Sequence, residues 1–319
     1  MSHVRLGTRG SPLALFQAQA VARLLRAHSG VTCDIVVIKT SGDRLAEAAL
    51  SEAGGKRLFV KEIQDALLAG DVDLAVHSSK DMPVVPPEGL GLGAVLPRED
   101  PRDALVLPEG ADAGGDIEVL LGQLGTAPRI GTSSVRRRAQ LARVSPGAQF
   151  LPVRGNLDTR LRKLDAGGYD ALVLAAAGLR RLGYQARLSA ALPVAVCVPA
   201  PGQGIIAIEI RNRDRQLKAT LAAIDDRSAA VALAAERAVV ERLGGGCQMP
   251  LGAYAQVTGD RVSVVSVVIS PDGSRVARAE SVGSARDPAG VGAQSADTLL
   301  AGGAGDILAE ARRILGMES

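Results

Sequence analysis

Apolar and polar positions alternate along this chain with two different periods, and the order of those periods predicts the elements. Val4 to Gly7 predicts a short strand. Ser11 and Pro12 then supply an N-cap and a first-turn proline for a helix whose Leu13, Phe16, Ala20 and Leu24 share one face. Asp34 to Lys39 predicts a second strand, Val60 to Leu68 a helix, and Val72 to Val76 a strand running into His77, Ser78 and Ser79. The order is βαβ, which predicts a largely parallel sheet.

The polar, proline-containing stretch Pro97 to Asp103 predicts a linker, after which the rhythm restarts. Arg129 to Gly131, Gln149 to Val153 and Asp170 to Ala175 predict strands, alternating with helices that begin near Ser133, near Asn156 and just past Gly178. A proline-rich passage from Pro193 to Pro201 leads into the apolar run Ile205 to Ile210, the pattern of a strand buried on both faces and returning to the first sheet. Beyond Ala222 the pattern predicts a helix over Val231 to Leu243, strands at Ala253 to Val257 and Val262 to Ile269, a turn at Pro271 to Gly273, a strand from Arg275 and a last helix from Ala296 to Leu315. The expected class is α/β: a discontinuous first domain (residues 1–100 and 199–220), a second (101–198), and a small C-terminal α+β domain (221–319).

Composition narrows the function classes. The chain has 319 residues, 47% hydrophobic and 22% charged, with a formal net charge of +3, which excludes disordered and fibrous classes. The longest apolar stretch, Ala171 to Leu179, is far shorter than the ~20 residues of a spanning helix, and the N-terminal apolar residues are interrupted by Arg5, Arg9 and Pro12. No membrane partner and a cytoplasmic location are expected. Cys33, Cys197 and Cys247 are odd in number and widely spaced, and neither they nor His3, His28 and His77 have metal-ligand spacing, so no metal is expected. Between Arg129 and Lys163, eight Arg and one Lys face a single acid, Asp158, which implies a local anion site.

The chemistry concentrates at strand ends. In Thr132 to Leu141 (TSSVRRRAQL) a strand gives way to a helix whose first turn carries Arg136, Arg137 and Arg138. Cations there oppose the helix dipole by roughly 0.3 to 1 kcal/mol each, a cost that an anion would offset. Exposed amides, the hydroxyls of Thr132, Ser133 and Ser134, and planar guanidinium forks suit a carboxylate or phosphate, although a solvated basic face is the open alternative. VRGNLDTRLRKL repeats the arrangement with Arg154, Gly155 and Arg160, and in open α/β sheets ligands sit at the carboxyl ends of strands. Nucleic acid is an unattractive anion here, because three Phe, three Tyr and no Trp leave few stacking platforms. In HSSKDMP, Lys80 and Asp81 follow a strand end, where a carboxylate could stabilise a cation or move a proton; the alternative is a helix N-terminus capped by Ser78 or Ser79. In GGGCQMP three glycines precede Cys247, an arrangement suited to an accessible nucleophilic thiol or to an idle surface cysteine. Cys197, within VAVCVPA, is expected to pack in a core.

Taken in order, TRGSPLALFQA, GGKRLFVKE, HSSKDMP, GTSSVRRRAQL, RGNLDTRL, AAAGLRRLG, PAPGQG and GGGCQMPLG resemble the porphobilinogen deaminase family, from Arg5 to about Leu251. The resemblance implies two domains like type II periplasmic binding proteins, joined by two crossovers, plus the C-terminal domain. It implies a monomeric transferase that condenses four porphobilinogen molecules head to tail, with loss of ammonia, into a linear hydroxymethylbilane. The implied primer is a dipyrromethane cofactor attached through a thioether, which falls on Cys247, and the implied catalytic aspartate is Asp81. Cofactor-binding roles fall on Ser11, Lys80, Thr132, Ser134, Arg136, Arg137, Arg154 and Gly155. Substrate-binding roles fall on Arg9, Phe59, Ser78, Arg154, Arg160 and Arg181, with Arg180 beside the last. Two other classes share parts of the pattern: a solute-binding module, which gives Asp81 and Cys247 no role, and a phosphoribosyl-type transferase, for which no Walker-type phosphate loop is present.

Overall fold

The computed structural model describes residues 2–40, 60–246 and 248–316. In chain order the first stretch of elements is β1 (His3–Thr8), α1 (Pro12–Ser29), β2 (Thr32–Val37), α2 (Lys61–Ala69), β3 (Leu74–Ser78) and β4 (Leu90–Val95). There follow β5 (Asp103–Val106), α3 (Ile117–Gln123), β6 (Arg129–Gly131), α4 (Val135–Leu141), β7 (Gln149–Leu151), α5 (Leu157–Lys163), β8 (Ala171–Ala175), α6 (Ala176–Arg181) and β9 (Ala190–Ala191). The chain continues through β10 (Ile206–Arg211), α7 (Arg215–Leu221), α8 (Arg227–Arg242), β11 (Leu251–Thr258), β12 (Arg261–Ile269), β13 (Val276–Ser284), α9 (Pro288–Ala301) and α10 (Ala304–Ile314).

Two compact units emerge, Met1–Glu99 with Gly204–Val231, and Asp100–Gln203 with Ala232–Ser319. The first holds a five-stranded sheet in the order β2-β1-β3-β10-β4. β1 runs parallel to β2 from His3 opposite Thr32 to Thr8 opposite Val37, and parallel to β3 with Leu6 opposite Leu74. β10 enters antiparallel between β3 and β4. Residues 206–210 are all buried, as the continuous apolar run predicts for a central strand. Leu6, Val21, Leu25, Leu74 and Ile208 form the core on one side; Ile63, Leu67, Val72 and Ala75 form a second cluster. Glu209 is the polar exception: wholly buried on β10, it accepts from Gln64 Nε2 of α2 at 2.9 Å and pairs with His77 at 3.2 Å.

The second unit holds a five-stranded sheet, β7-β6-β8-β5-β9, and the antiparallel three-stranded sheet β11-β12-β13. β6 is parallel to β7 and to β8, while β5 is antiparallel to β8, with Asp103 opposite Ala175. Leu105, Leu120, Ile130, Leu141 and Val173 fill one cluster, and Val106, Leu161, Leu164, Leu172 and Leu179 another. The three-stranded sheet joins this unit through Val267 and Ile269, which pack with Ala139 and Val198. Helix starts follow their caps: Ser11, Asp116, Ser134, Asn156 and Asp287 each accept a first-turn amide.

Four sequence expectations are corrected. Each five-stranded sheet is mixed rather than largely parallel, since β10 runs antiparallel to β3 and β4, and β5 to β8 and β9. The last helix is two, because Gly302 and Gly303 interrupt it and Gly303 takes φ 85°, a left-handed conformation that glycine adopts without a Cβ penalty. α6 begins at Ala176 and contains Gly178 rather than starting after it. The stretch read as a linker through Asp103 ends one residue early: Asp103 is the first residue of β5 and has no exposed surface. Its burial has a specific partner set, described below.

Candidate active site

In the first unit, the carboxyl ends of β1 and β3 lie side by side, since Gly7 is opposite Ala75. β1 delivers Arg9, half-buried, and Ser11, whose Oγ accepts from Ala14 N at 3.3 Å to start α1. β3 delivers Ser78 and then a single tight turn, Ser79 to Asp81, on which Lys80 and Asp81 are both half-buried. The turn is tied down on two sides. Gln17 of α1 donates from Nε2 to Ser78 Oγ at 2.8 Å, and Ser79 N donates to Ile205 O, just before β10, at 3.0 Å. Ser78 stands at the N-cap position of this turn but makes no side-chain cap bond: its hydroxyl engages Gln17, and Ser79 Oγ is buried with no hydrogen-bond partner among the described residues.

In the second unit, the two arginine motifs come together as their strand ends predict. β6 and β7 pair in register, Gly131 opposite Leu151, and the pairing continues past the strands: Thr132 N donates to Leu151 O at 2.9 Å, and Val153 N to Ser133 Oγ at 3.0 Å. Thr132 Oγ1 accepts from Ser134 N, and Ser134 Oγ caps α4 by accepting from Arg137 N at 3.4 Å. After β7, Arg154 is exposed and Gly155 has φ 108°. A Cβ at Gly155 would lie 2.7 Å from Thr159 Cγ2, so only glycine allows Asn156 to cap α5 so tightly. The Gly155 carbonyl accepts from Arg160 Nε at 2.8 Å. At the end of α6, Arg181 is half-buried, whereas Arg180 is exposed and pairs with Asp100, which also holds Arg102.

The arginines of α4 depart from the sequence reading in one respect. They do not depend wholly on an outside anion, because Asp103 supplies one from within. Arg136 Nη1 lies 2.7 Å from Asp103 Oδ2, and Arg137 donates from Nε to Oδ1 at 2.9 Å. Burial pushes the Asp103 carboxyl up, but the two guanidinium charges outweigh it and hold the group well below the ordinary carboxylate range. The wider basic segment is likewise partly neutralised, Arg129 by Asp170 and Arg162 by Asp158. What remains at the end of β6 is two buried guanidiniums on one carboxylate, an excess of one positive charge beside the hydroxyls of Thr132 and Ser134. Sequence reasoning missed Asp103 and Gln203; the available signal was an acid set directly against the apolar run Ala104 to Leu107.

Cys197 is fully buried, and burial pushes its thiol up to about 12, which fits the expected packing role. Phe59 and Cys247 lie outside the described residues. Beside Cys247, Gly244 has φ 58° and its carbonyl accepts from Arg312 Nη2 at 2.9 Å. Among the described residues no group of three His, Cys, Asp or Glu could hold a metal, and no helix is long and apolar enough to cross a membrane.

Comparison with known proteins gives two family matches. Residues 4–219 match the model for "Porphobilinogen deaminase, dipyromethane cofactor binding domain", and residues 230–301 the model for "Porphobilinogen deaminase, C-terminal domain". Among curated proteins, the porphobilinogen deaminase of Moorella thermoacetica is 45% identical over 313 residues, covering 98% of this chain and 97% of the relative. That of Geobacter metallireducens is 45% identical over 308 residues, covering 96% and 94%. Among solved structures, the periplasmic VFT2 domain of Bordetella pertussis BvgS is 20% identical with TM-score 0.40, covering 70% of this chain and 86% of that one. The arginine-specific periplasmic binding protein STM4351 of Salmonella typhimurium is 13% identical with TM-score 0.41, covering 72% and 94%. Likenesses at that level carry no argument about this chain.

Proposed function

Since the chain belongs to the porphobilinogen deaminase family, we propose that Asp81 is its catalytic carboxylate and Cys247 the attachment point of its dipyrromethane cofactor. The enzyme is a transferase of tetrapyrrole biosynthesis that condenses four porphobilinogen molecules head to tail, with release of ammonia, into hydroxymethylbilane. When bound, the cofactor supplies the pyrrole end to which substrate units are added.

The donor set fits such a group. Each porphobilinogen unit carries an acetate and a propionate, so a bound pyrrole chain accumulates negative charge, and planar guanidiniums recognise carboxylates through two parallel bonds. The observation that carries the assignment is the surplus charge of Arg136 and Arg137 over Asp103, set beside Thr132 and Ser134. Ser11, Lys80, Arg154 and Gly155 complete the proposed cofactor-binding set. Arg9, Ser78, Arg160, Arg181, Phe59 and again Arg154 form the substrate-binding set. Loss of ammonia from porphobilinogen leaves an electrophilic methylene carbon conjugated to a cationic pyrrole nitrogen. A carboxylate facing that nitrogen would balance the charge and hold or move its proton. Asp81, on a turn held by Gln17 through Ser78 and by Ile205 through Ser79, suits that task because its backbone is fixed before substrate arrives. A thiolate captures an electrophilic carbon far better than a hydroxyl does, which is the reason to place the thioether on Cys247.

The division into residues 1–100 with 199–220, 101–198 and 221–319 belongs to the same proposal. So do a monomeric state, a cytoplasmic setting and the absence of a nucleic-acid partner. The test is intact mass. The purified chain should exceed its sequence mass by one dipyrromethane unit, with the adduct on the peptide that contains Cys247. An unmodified mass in freshly purified, active protein would refute covalent priming.

A further inference from the structure

The carboxylate of Asp103 is the point on which both inward-facing arginines of α4 converge. Arg136 Nη1 reaches Oδ2 at 2.7 Å and also donates to the Val198 carbonyl at 2.6 Å. Arg137 donates from Nε to Oδ1 at 2.9 Å, places Nη2 at 2.8 Å from the same oxygen, and fixes Nη1 on the Val173 carbonyl of β8 at 2.9 Å. Gln203 Nε2 donates both to Oδ1 at 2.8 Å and to the Pro101 carbonyl at 2.7 Å, and the Cys197 thiol donates to Oδ2 at 3.3 Å. Asp103 has no exposed surface, so it does not itself touch a ligand.

We infer that Asp103 is a positioning residue for the reaction: by fixing the planes of Arg136 and Arg137 it sets which of their donors can turn to the carboxylates of the pyrrole chain. The inference rests on the proposed cofactor-binding role of those arginines. A guanidinium carries five donors in one rigid plane, so donors spent on the protein fix where the rest point: Arg136 spends Nη1 on Asp103 and Val198, and Arg137 engages Nε, Nη1 and Nη2. Arg137, held by both Asp103 and Val173, is pinned in that sense from two strands, β5 and β8.

Simple electrostatics and positioning predict opposite outcomes. If the arginines acted only as local positive charge, removing a neighbouring acid would strengthen capture of carboxylates. If Asp103 positions them, removing it weakens capture even though the site becomes more positive.

The experiment compares the full-length wild-type chain with Asp103→Asn and Arg137→Lys, all produced alike. It reads the fraction carrying the dipyrromethane mass and, in that fraction, KM and kcat for porphobilinogen. Circular dichroism establishes that each variant is folded. Folded Asp103→Asn should show an adduct fraction or a KM worse by about tenfold, with kcat of the loaded enzyme changed less than KM. Arg137→Lys keeps the charge but cannot bridge Asp103 and Val173, and should move in the same direction. A wild-type adduct fraction with equal or lower KM in Asp103→Asn overturns the inference. If Asp103→Asn yields no folded protein, Arg137→Lys decides alone, and wild-type values there overturn it. A wild-type chain lacking the adduct overturns the proposed function and this inference together, whereas adduct present in wild type and undiminished in the variants overturns the inference only.

Discussion

Asp81 and Asp103 are two carboxylates with opposite fates, and their surroundings account for it. Asp81 stands half-buried on a turn beside Lys80, able to face a reacting group, while Asp103 is enclosed by two guanidiniums. Asp81→Asn should keep the fold and the covalent adduct but lower kcat by about a hundredfold or more, since the amide preserves shape but cannot balance a developing cation. Near-normal turnover in adduct-bearing protein would remove Asp81 from the catalytic role. The cysteines divide in the same way. Cys247→Ser should lose the adduct, whereas Cys197→Ser should retain it, because a thiol that is fully buried and pushed up to about 12 supplies almost no thiolate. Peptide mapping that places the adduct on Cys197 would reverse that choice. Among single residues, the proposed nucleophile, the proposed catalytic carboxylate and the arginines stood out in the sequence because each is marked by glycines, a strand end or a run of like charge. Asp103 did not, since an acid set against an apolar run can end a linker or start a buried strand, and its distant partners decide which.

Elements that place the site begin at caps written into the chain. Ser134 ends the extended segment after β6 and accepts the Arg137 amide, so it fixes where the first turn of α4 starts and which residues face inward. Ser134→Ala should lower stability by about 1 kcal/mol, the usual loss of a serine N-cap. For a protein of this size that corresponds to a fall in Tm of roughly 2 °C, readable by thermal circular dichroism. An unchanged Tm would mean that the cap contributes nothing. Caps and strand periodicity made many elements legible, whereas β4, β5, α3, α7, the short β9 and the break between α9 and α10 were not read from the sequence. A two-residue strand has no period to detect, whereas the Gly302–Gly303 pair was a helix-breaking signal that the amphipathic period on either side masked.

Across the whole molecule, several carboxyls are held down by arginines, one a near neighbour in sequence and the others from distant parts of the chain. Side-chain bonds from Arg102, Arg187 and Arg129 lower Asp100, Asp165 and Asp170, while Asp103 is lowered by Arg136 and Arg137 against its own burial. For each, the folded value lies below the unfolded one, so the unfolded chain takes up protons first as pH falls. Their stabilisation is therefore complete above the ordinary aspartate value of about 4 and is lost progressively below it. The urea midpoint should be insensitive to these groups between about pH 5 and 8 and should fall steeply below about pH 4. A midpoint that rises on acidification in that range would contradict the ion-pair assignment.

The βαβ rhythm, the Ser11 cap and the strand-end placement of Lys80, Asp81, Arg136, Arg137, Arg154 and Arg160 were settled by the sequence, because each depends on residues within a turn or two of one another, and the family resemblance was carried by the succession of motifs along the chain. Where the charges end up was decided only by tertiary structure. Asp103 and Arg136 are separated by 33 positions, and Asp103 and Gln203 by 100. No local pattern reveals that they will meet at one sheet end. A buried carboxylate is tolerated only when it is paired and fully hydrogen-bonded, and those partners come together only once β5, the first turn of α4 and the Val198 to Gln203 segment have packed.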